Sequence, residues 1–201
     1  FLLYDPKRTW GTRLTNGNYI SIWQQQGSTE DSFNLIGRVF NANGTPLFPD
    51  KIMTGKTTGV QVASTLTALP NGASAFAYSD YSSAQSVRRD YVQELDSTGN
   101  RVGAPELARQ TSRVQPLGTT VVGNLKGIGT IVAYRREAVH NLTNLIWKNL
   151  ANNVLRSVPI PFTINPFNTM PPYAMATLRS NLFFIVDFHD LINNVSGFAG
   201  V

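Results

Sequence analysis

Apolar and polar residues alternate along most of this chain in short runs, and the runs are separated by Asn, Gly, Asp and Pro. Period-two alternation bounded by turn residues predicts strands, and no stretch carries the 3.6-residue period of a helix. Between 57 and 112 the pattern predicts four strands, Val60–Leu69, Ser74–Asp80, Arg88–Leu95 and Arg101–Ala108. The links between them are turn-forming: Pro70-Asn71-Gly72, then Tyr81–Ser86, then Asp96–Asn100. Asn-Gly between alternating runs, at Asn16-Gly17 and Asn71-Gly72, predicts type I′ hairpins, which need positive φ at both central residues.

The pattern recurs. Asn16-Gly17 and Asn71-Gly72 lie 55 residues apart, and the aromatics closing the second strands, Trp23, Tyr78, Tyr134 and Phe188, are spaced 55, 56 and 54. A second marker keeps the same step: "NLIGRVFNANGTPL" from 34 aligns with "RDYVQELDSTGNRVG" from 89, matching Asn43-Gly44 to Thr98-Gly99. "NLIWKNLANNVLRS" from 144 repeats it with an Asn152-Asn153 turn. The second strands are nearly continuous in apolar character (Ile20–Trp23, Ala75–Tyr78, Thr130–Tyr134, Phe183–Val186), which predicts burial on both faces. Trp23, Tyr78, Tyr134 and Phe188 are therefore the expected repeat core.

Four antiparallel strands recurring about every 55 residues predict an all-β, propeller-like domain. It has about four blades of four strands, over 1–56, 57–112, 113–168 and 169–201. A β-sandwich or an open stack of sheets is the alternative. The run Asn16-Gly17, Trp23, Arg38-Val39-Phe40-Asn41 and Gly44 resembles the propeller-type repeats of large secreted or surface-attached proteins of bacteria and protists. In those, an Asn-Gly strand is followed by a strand and a glycine turn. The third unit departs from the motif, with Lys126-Gly127 and Asn152-Asn153 in place of the glycine turns. The resemblance implies the fold and an extracellular or cell-surface setting, and carries over no catalytic residue.

Charged residues make up 14% of the chain, against about 25% in an average soluble domain, and the formal net charge is +5. Lys and Arg are scattered, with doublets only at Arg88-Arg89 and Arg135-Arg136, which argues against a nucleic-acid partner and for solvated strand or loop positions. There is no cysteine, so disulfides and thiolate metal sites are excluded, and no apolar run is long enough for a membrane-spanning helix. His140 and His189 are the two histidines, and neither has partners at metal-ligand spacing. Asp187-Phe188-His189-Asp190 reads as a loop at the end of a strand, or as a source of ligands or a general base. There is no G-x-S-x-G elbow and no glycine-rich phosphate loop, so no cofactor is expected. Propeller glycosidases need two carboxylates at a set separation. The 12 acidic residues do not reveal in sequence which of them converge. Trp10 and Trp147 have no aromatic counterparts in neighbouring units and are candidate ligand contacts. Tyr4, Tyr19, Tyr81 and Tyr91 could also stack on sugars. Three N-x-[ST] sequons make Asn43, Asn141 and Asn194 glycosylation candidates.

With no catalytic constellation in view, the expectation is a non-enzymatic extracellular repeat module. Its partners would be other subunits or copies of itself. A carbohydrate-binding propeller with glycans as partners is the alternative, and a propeller glycoside hydrolase the second alternative. The last unit has room for three strands, Ala174–Arg179, Leu182–Phe188 and Val195–Val201. Residues 1–5 are then candidates to supply a fourth strand, in the same chain or in a neighbour. The chain opens on Phe1, as a processed protein or a piece of a longer one.

Overall fold

A computed structural model of the chain describes residues 9–27, 32–57, 59–82, 87–111, 121–125, 129–137, 143–149, 154–159, 172–178, 181–190 and 195–200, with side chains as far as residue 110. It divides into two compact units, Phe1–Val114 and Gln115–Val201. Among the described residues there is no α-helix, only a single 3₁₀ turn at Pro70–Gly72.

The first unit contains β1 (Thr9–Arg13), β2 (Tyr19–Gln26), β3 (Phe33–Phe40), β4 (Lys51–Ile52), β5 (Val60–Ala68), β6 (Ser74–Ser82), β7 (Val87–Leu95) and β8 (Arg101–Thr111). Strands β1 to β4 pair antiparallel in chain order, and so do β5 to β8. The two sets meet at one parallel position, where Phe33 lies beside Val60 and its N–H donates to the Gly59 carbonyl at 3.0 Å.

The turns show the repeat at atomic detail. Leu14 N–H donates to Asn18 O at 2.8 Å, and 55 residues on Leu69 N–H donates to Ala73 O at 2.9 Å. Asn41 N–H donates to Thr45 O, and Asp96 N–H to Asn100 O, again 55 apart. The Asn-Gly turns are not the two-residue type I′ form expected. Gly17 N–H donates to Leu14 O at 3.0 Å, so the loop has three residues and Gly17, at φ +91°, closes it. That is a type I turn followed by a left-handed residue, in which only the glycine requires positive φ. The four turns at 14–18, 41–45, 69–73 and 96–100 lie at one end of the unit. Thr15 ties two of them together: its hydroxyl donates to Leu69 O at 3.1 Å and accepts from Gly72 N–H at 2.8 Å. The ends of β2, β4 and β6 and the starts of β3, β5 and β7 lie at the other end.

The core lies between the two sets of strands. Leu14, Ile20, Ile22, Leu35, Val39 and Met53 from one meet Ala63, Phe76, Tyr78 and Leu95 from the other, with Trp10, Phe48, Leu66 and Tyr91 packed at its margin. The rings of Phe76, Tyr78 and Tyr91 stack in sequence, with centroids 5.4 Å apart at each step. Strand β6 is buried at every position from Ser74 to Asp80, as its apolar run predicts. Strand β2 is not. Ile20, Ile22 and Gln24 are buried, whereas Ser21 and Trp23 are half-buried. Trp23 and Tyr78 do occupy equivalent places in their strands, but Tyr78 faces the β1–β4 set while Trp23 faces away from β5–β8. The same position is therefore core in one strand and surface-leaning in the other.

The second unit has a four-stranded antiparallel sheet in the order β12-β11-β10-β9, from β9 (Val121–Leu125), β10 (Gly129–Glu137), β11 (Thr143–Asn149) and β12 (Val154–Pro159). A three-stranded sheet follows, made of β13 (Pro172–Leu178), β14 (Asn181–Asp190) and β15 (Val195–Gly200). Its three strands fall where the sequence predicts them. Residues 1–5, expected to complete it, lie outside the described residues, as does the Asn152-Asn153 turn.

Candidate functional site

At the end of the first unit opposite the tight turns, the inward stripes of three strands change from apolar to polar at the same level. On β2, Ile20 and Ile22 give way to Gln24; on β6, Phe76 and Tyr78 give way to Asp80; on β5, Gln61 sits directly across from Asp80. Gln24, Gln61 and Asp80 are 6%, 0% and 5% exposed. Buried polar groups need partners, and these supply one another. Gln24 Nε2 donates to Gln61 O at 3.0 Å, and Gln61 Nε2 reaches Asp80 Oδ1 at 3.5 Å. The Lys56 ammonium pairs with Asp80 Oδ2, coming in from the 53–59 link with more than half of its side chain in solvent. Asp80 is thus a buried carboxylate whose only charged partner, among the described residues, reaches it from the open side. Below it, burial pushes the Tyr78 hydroxyl far above the usual tyrosine range, and the neighbouring Asp80 charge pushes the same way. Tyr78 therefore stays neutral.

A second buried ion pair occupies the other face of the same sheet. Asp90 stands opposite Ser79 in the β6–β7 register. It accepts from the Ser79 hydroxyl at 2.7 Å and from Arg88 Nε at 2.8 Å, with the side chains of Arg88 and Asp90 only 4% and 1% exposed. The Arg88 guanidinium also lies 5.4 Å from the centre of the Tyr81 ring. The expectation of a solvated doublet at Arg88-Arg89 is corrected. Alternation on β7 puts Arg88 with Asp90 on that covered face, whereas Arg89 is half-buried and bonds Gln110 at the rim. Adjacent residues on a strand face opposite ways, so Asp80 and Asp90 are separated by the sheet and do not converge.

Sequence reasoning did not single out Asp80, Gln61, Gln24, Lys56 or Asp90. The available signal was a carboxylate set at the end of the apolar run Ala75–Tyr78, within the same strand, where burial of a charge demands a built environment. Trp10, expected as an exposed contact, is instead half-buried against the core, and its indole N–H donates to Ser64 O at 3.0 Å. It fastens β1 to β5. Tyr19 is exposed, Tyr81 and Tyr91 are half-buried, and Tyr4 lies outside the described residues. Trp147 is placed on β11 across from Ala133 and Arg156, Tyr134 on β10 across from Ile146, and Phe188 on β14 across from Gly197. Asp187, His189 and Asp190 lie within β14, across from Phe198, Ser196 and Val195, and not in the loop expected there, because the β14–β15 ladder pairs as far as Asp190. Asn43 is exposed in the 41–45 turn, whereas Asn141, Asn194 and His140 lie outside the described residues. Among the described residues, no group of three or more His, Cys, Asp or Glu could hold a metal ion, and no helix is long and apolar enough to cross a membrane.

No protein-family model and no curated protein matches the chain in sequence. Solved structures do match in shape. The chain is similar to the endo-arabinase from Bacteroides thetaiotaomicron, with a TM-score of 0.55 and 14% identity over 98% of this chain and 74% of that one. It is also similar to a thermostable family-43 glycoside hydrolase, with a TM-score of 0.50 and 13% identity over 94% of this chain and 68% of the other. The likeness supports a β-propeller-like fold. It also corrects the expectation of a non-enzymatic surface or filament module, because these two structures, similar along nearly the whole chain, are an endo-arabinase and a family-43 glycoside hydrolase. That expectation rested on the lack of a catalytic constellation legible in the sequence, and carboxylates brought together from separate strands leave no such local signature.

Proposed function

We propose that this chain hydrolyses glycosidic bonds in a polysaccharide. The observation that carries the reading is the fold match to an endo-arabinase and a family-43 glycoside hydrolase over 98% and 94% of the chain. In this reading the strand sets β1–β4, β5–β8, β9–β12 and β13–β15 are four blades. The sugar chain lies at the end of the first unit that carries Gln24, Gln61 and Asp80. Hydrolysis of a glycoside takes two carboxyl groups, one protonating the leaving oxygen and one acting as base or nucleophile. Asp80 suits one of these roles. It is buried, held in one orientation by Gln61, and covered by a lysine that a sugar hydroxyl or a water can displace. Asp90 does not suit the other role, since it faces the opposite side of the sheet and its oxygen is engaged by Ser79 and Arg88. The second carboxyl group comes from elsewhere in the chain. An extracellular or cell-surface setting fits a substrate too large to cross a membrane.

The test is an assay of the purified chain on linear arabinan and a panel of other plant polysaccharides, scoring new reducing ends. The expected result is cleavage of at least one polymer by the parent chain and a loss of about 100-fold or more in Asp80→Asn, with an unchanged circular dichroism spectrum. Binding without any release of reducing ends, or no interaction with any polymer, overturns the reading.

A further inference from the structure

We infer that Asn43 is an acceptor site for N-linked glycan. Asn43-Gly44-Thr45 forms the outer part of the turn after β3, and all three residues are exposed. The turn is held from one side. Asn41 Oδ1 accepts the backbone N–H groups of Asn43 at 3.0 Å and Thr45 at 2.9 Å, and Gly44 N–H donates to Asn41 O at 3.0 Å. The Asn43 carboxamide and the Thr45 hydroxyl make no hydrogen bond among the described residues. Gly44, at φ +82°, has no atom within 4 Å of the place a Cβ would occupy, so the surroundings are open.

The molecule supplies its own comparison. The turn at 96–100 has the same backbone, but its side chains are tied down. Asp96 takes the Thr98 hydroxyl at 2.7 Å and the Asn100 carboxamide at 3.2 Å, and Lys51 donates to Thr98 O at 2.8 Å. The first turn therefore keeps both sequon side chains available, although its backbone could be closed as the second one is. An exposed turn is where this modification can be accommodated. The reaction joins Asn43 Nδ2 to the anomeric carbon of a lipid diphosphate-linked oligosaccharide. The bond from that carbon to the phosphate oxygen breaks, Nδ2 loses a proton, and the lipid diphosphate leaves. The turn lies at the end of the unit opposite Asp80, so a glycan there leaves the candidate site uncovered.

The full chain is secreted from a eukaryotic host, and its mass is measured before and after enzymatic removal of N-linked glycan, which converts a glycosylated Asn43 to aspartate. The expected result is a glycan on the peptide containing residue 43, absent in Asn43→Gln and in Thr45→Ala and retained in Thr45→Ser. Thr45→Ala keeps Asn43 and the Asn41 bonds, so its loss of glycan cannot come from a broken turn. An unmodified residue 43 in the parent chain, or an unchanged glycan mass in Asn43→Gln, overturns the inference.

Discussion

Single residues here act through the charge they bring to a fixed geometry. Asp90 is the clearest case, because its carboxylate is buried against Arg88. Asp90→Ala removes the buried carboxylate that Arg88 Nε is bonded to, and breaking a buried pair costs about 3–5 kcal/mol, to be read as a shift in the urea unfolding midpoint. Asp96 acts at the surface. Burial pushes its carboxyl up, but the hydrogen bonds from the Thr98 hydroxyl, the two backbone N–H groups and the Asn100 carboxamide together hold it below the usual aspartate value. A carboxyl depressed on folding contributes stability above its unfolded pKa of about 3.9. That contribution is lost as the pH falls through the lower folded value. Asn41 already closes the equivalent turn with a neutral amide oxygen. Asp96→Asn should therefore keep the fold, and the gap between the two melting temperatures should close as the pH falls below about 4.

At the scale of elements, turns and strands respond for different reasons. Gly44 and Gly99 hold φ +82° and +79° in equivalent turns. An alanine in the left-handed region costs roughly 1–2 kcal/mol, and at Gly44 that is the whole effect, since the space around it is open. At Gly99 a Cβ also stands 3.2 Å from Val39 Cγ2. Gly99→Ala is therefore expected to lower the melting temperature more than Gly44→Ala. Among the strands, Phe76 is fully buried, and Phe76→Ala should cost about 3–5 kcal/mol. Trp23 occupies the Tyr78 position of its own strand on a less covered face, and Trp23→Ala should cost less than about 2 kcal/mol. Equal losses in the two variants, measured by chemical denaturation, would show that the face bearing Trp23 is covered after all.

At the scale of the whole molecule, the strand pattern predicts a β-type far-UV circular dichroism spectrum with no helical double minimum. The 55-residue period carried most of this. Strand positions in both units follow it within two or three residues at most ends, from β5 to β15, because alternation and turn chemistry are local properties. The candidate site was far less legible. Asp80, Gln61 and Gln24 lie 19 and 37 residues apart along the chain, and nothing local marks three polar residues on separate strands as neighbours. They meet only because register places Gln61 across from Asp80, and the packing of one strand set on the other brings Gln24 to the Gln61 carbonyl.

The sequence by itself determined that the chain is all-β, where its strands begin and end, and which residues shape the turns, since each depends on residues a few positions apart. Tertiary structure alone decided which side of each strand is covered. A period of two separates two faces without saying which one a neighbouring sheet will cover, and that choice buried Tyr78 and left its counterpart Trp23 only half-buried. The same choice turned Arg88 from a surface charge into half of a buried ion pair, and it set a carboxylate at the polar end of the core.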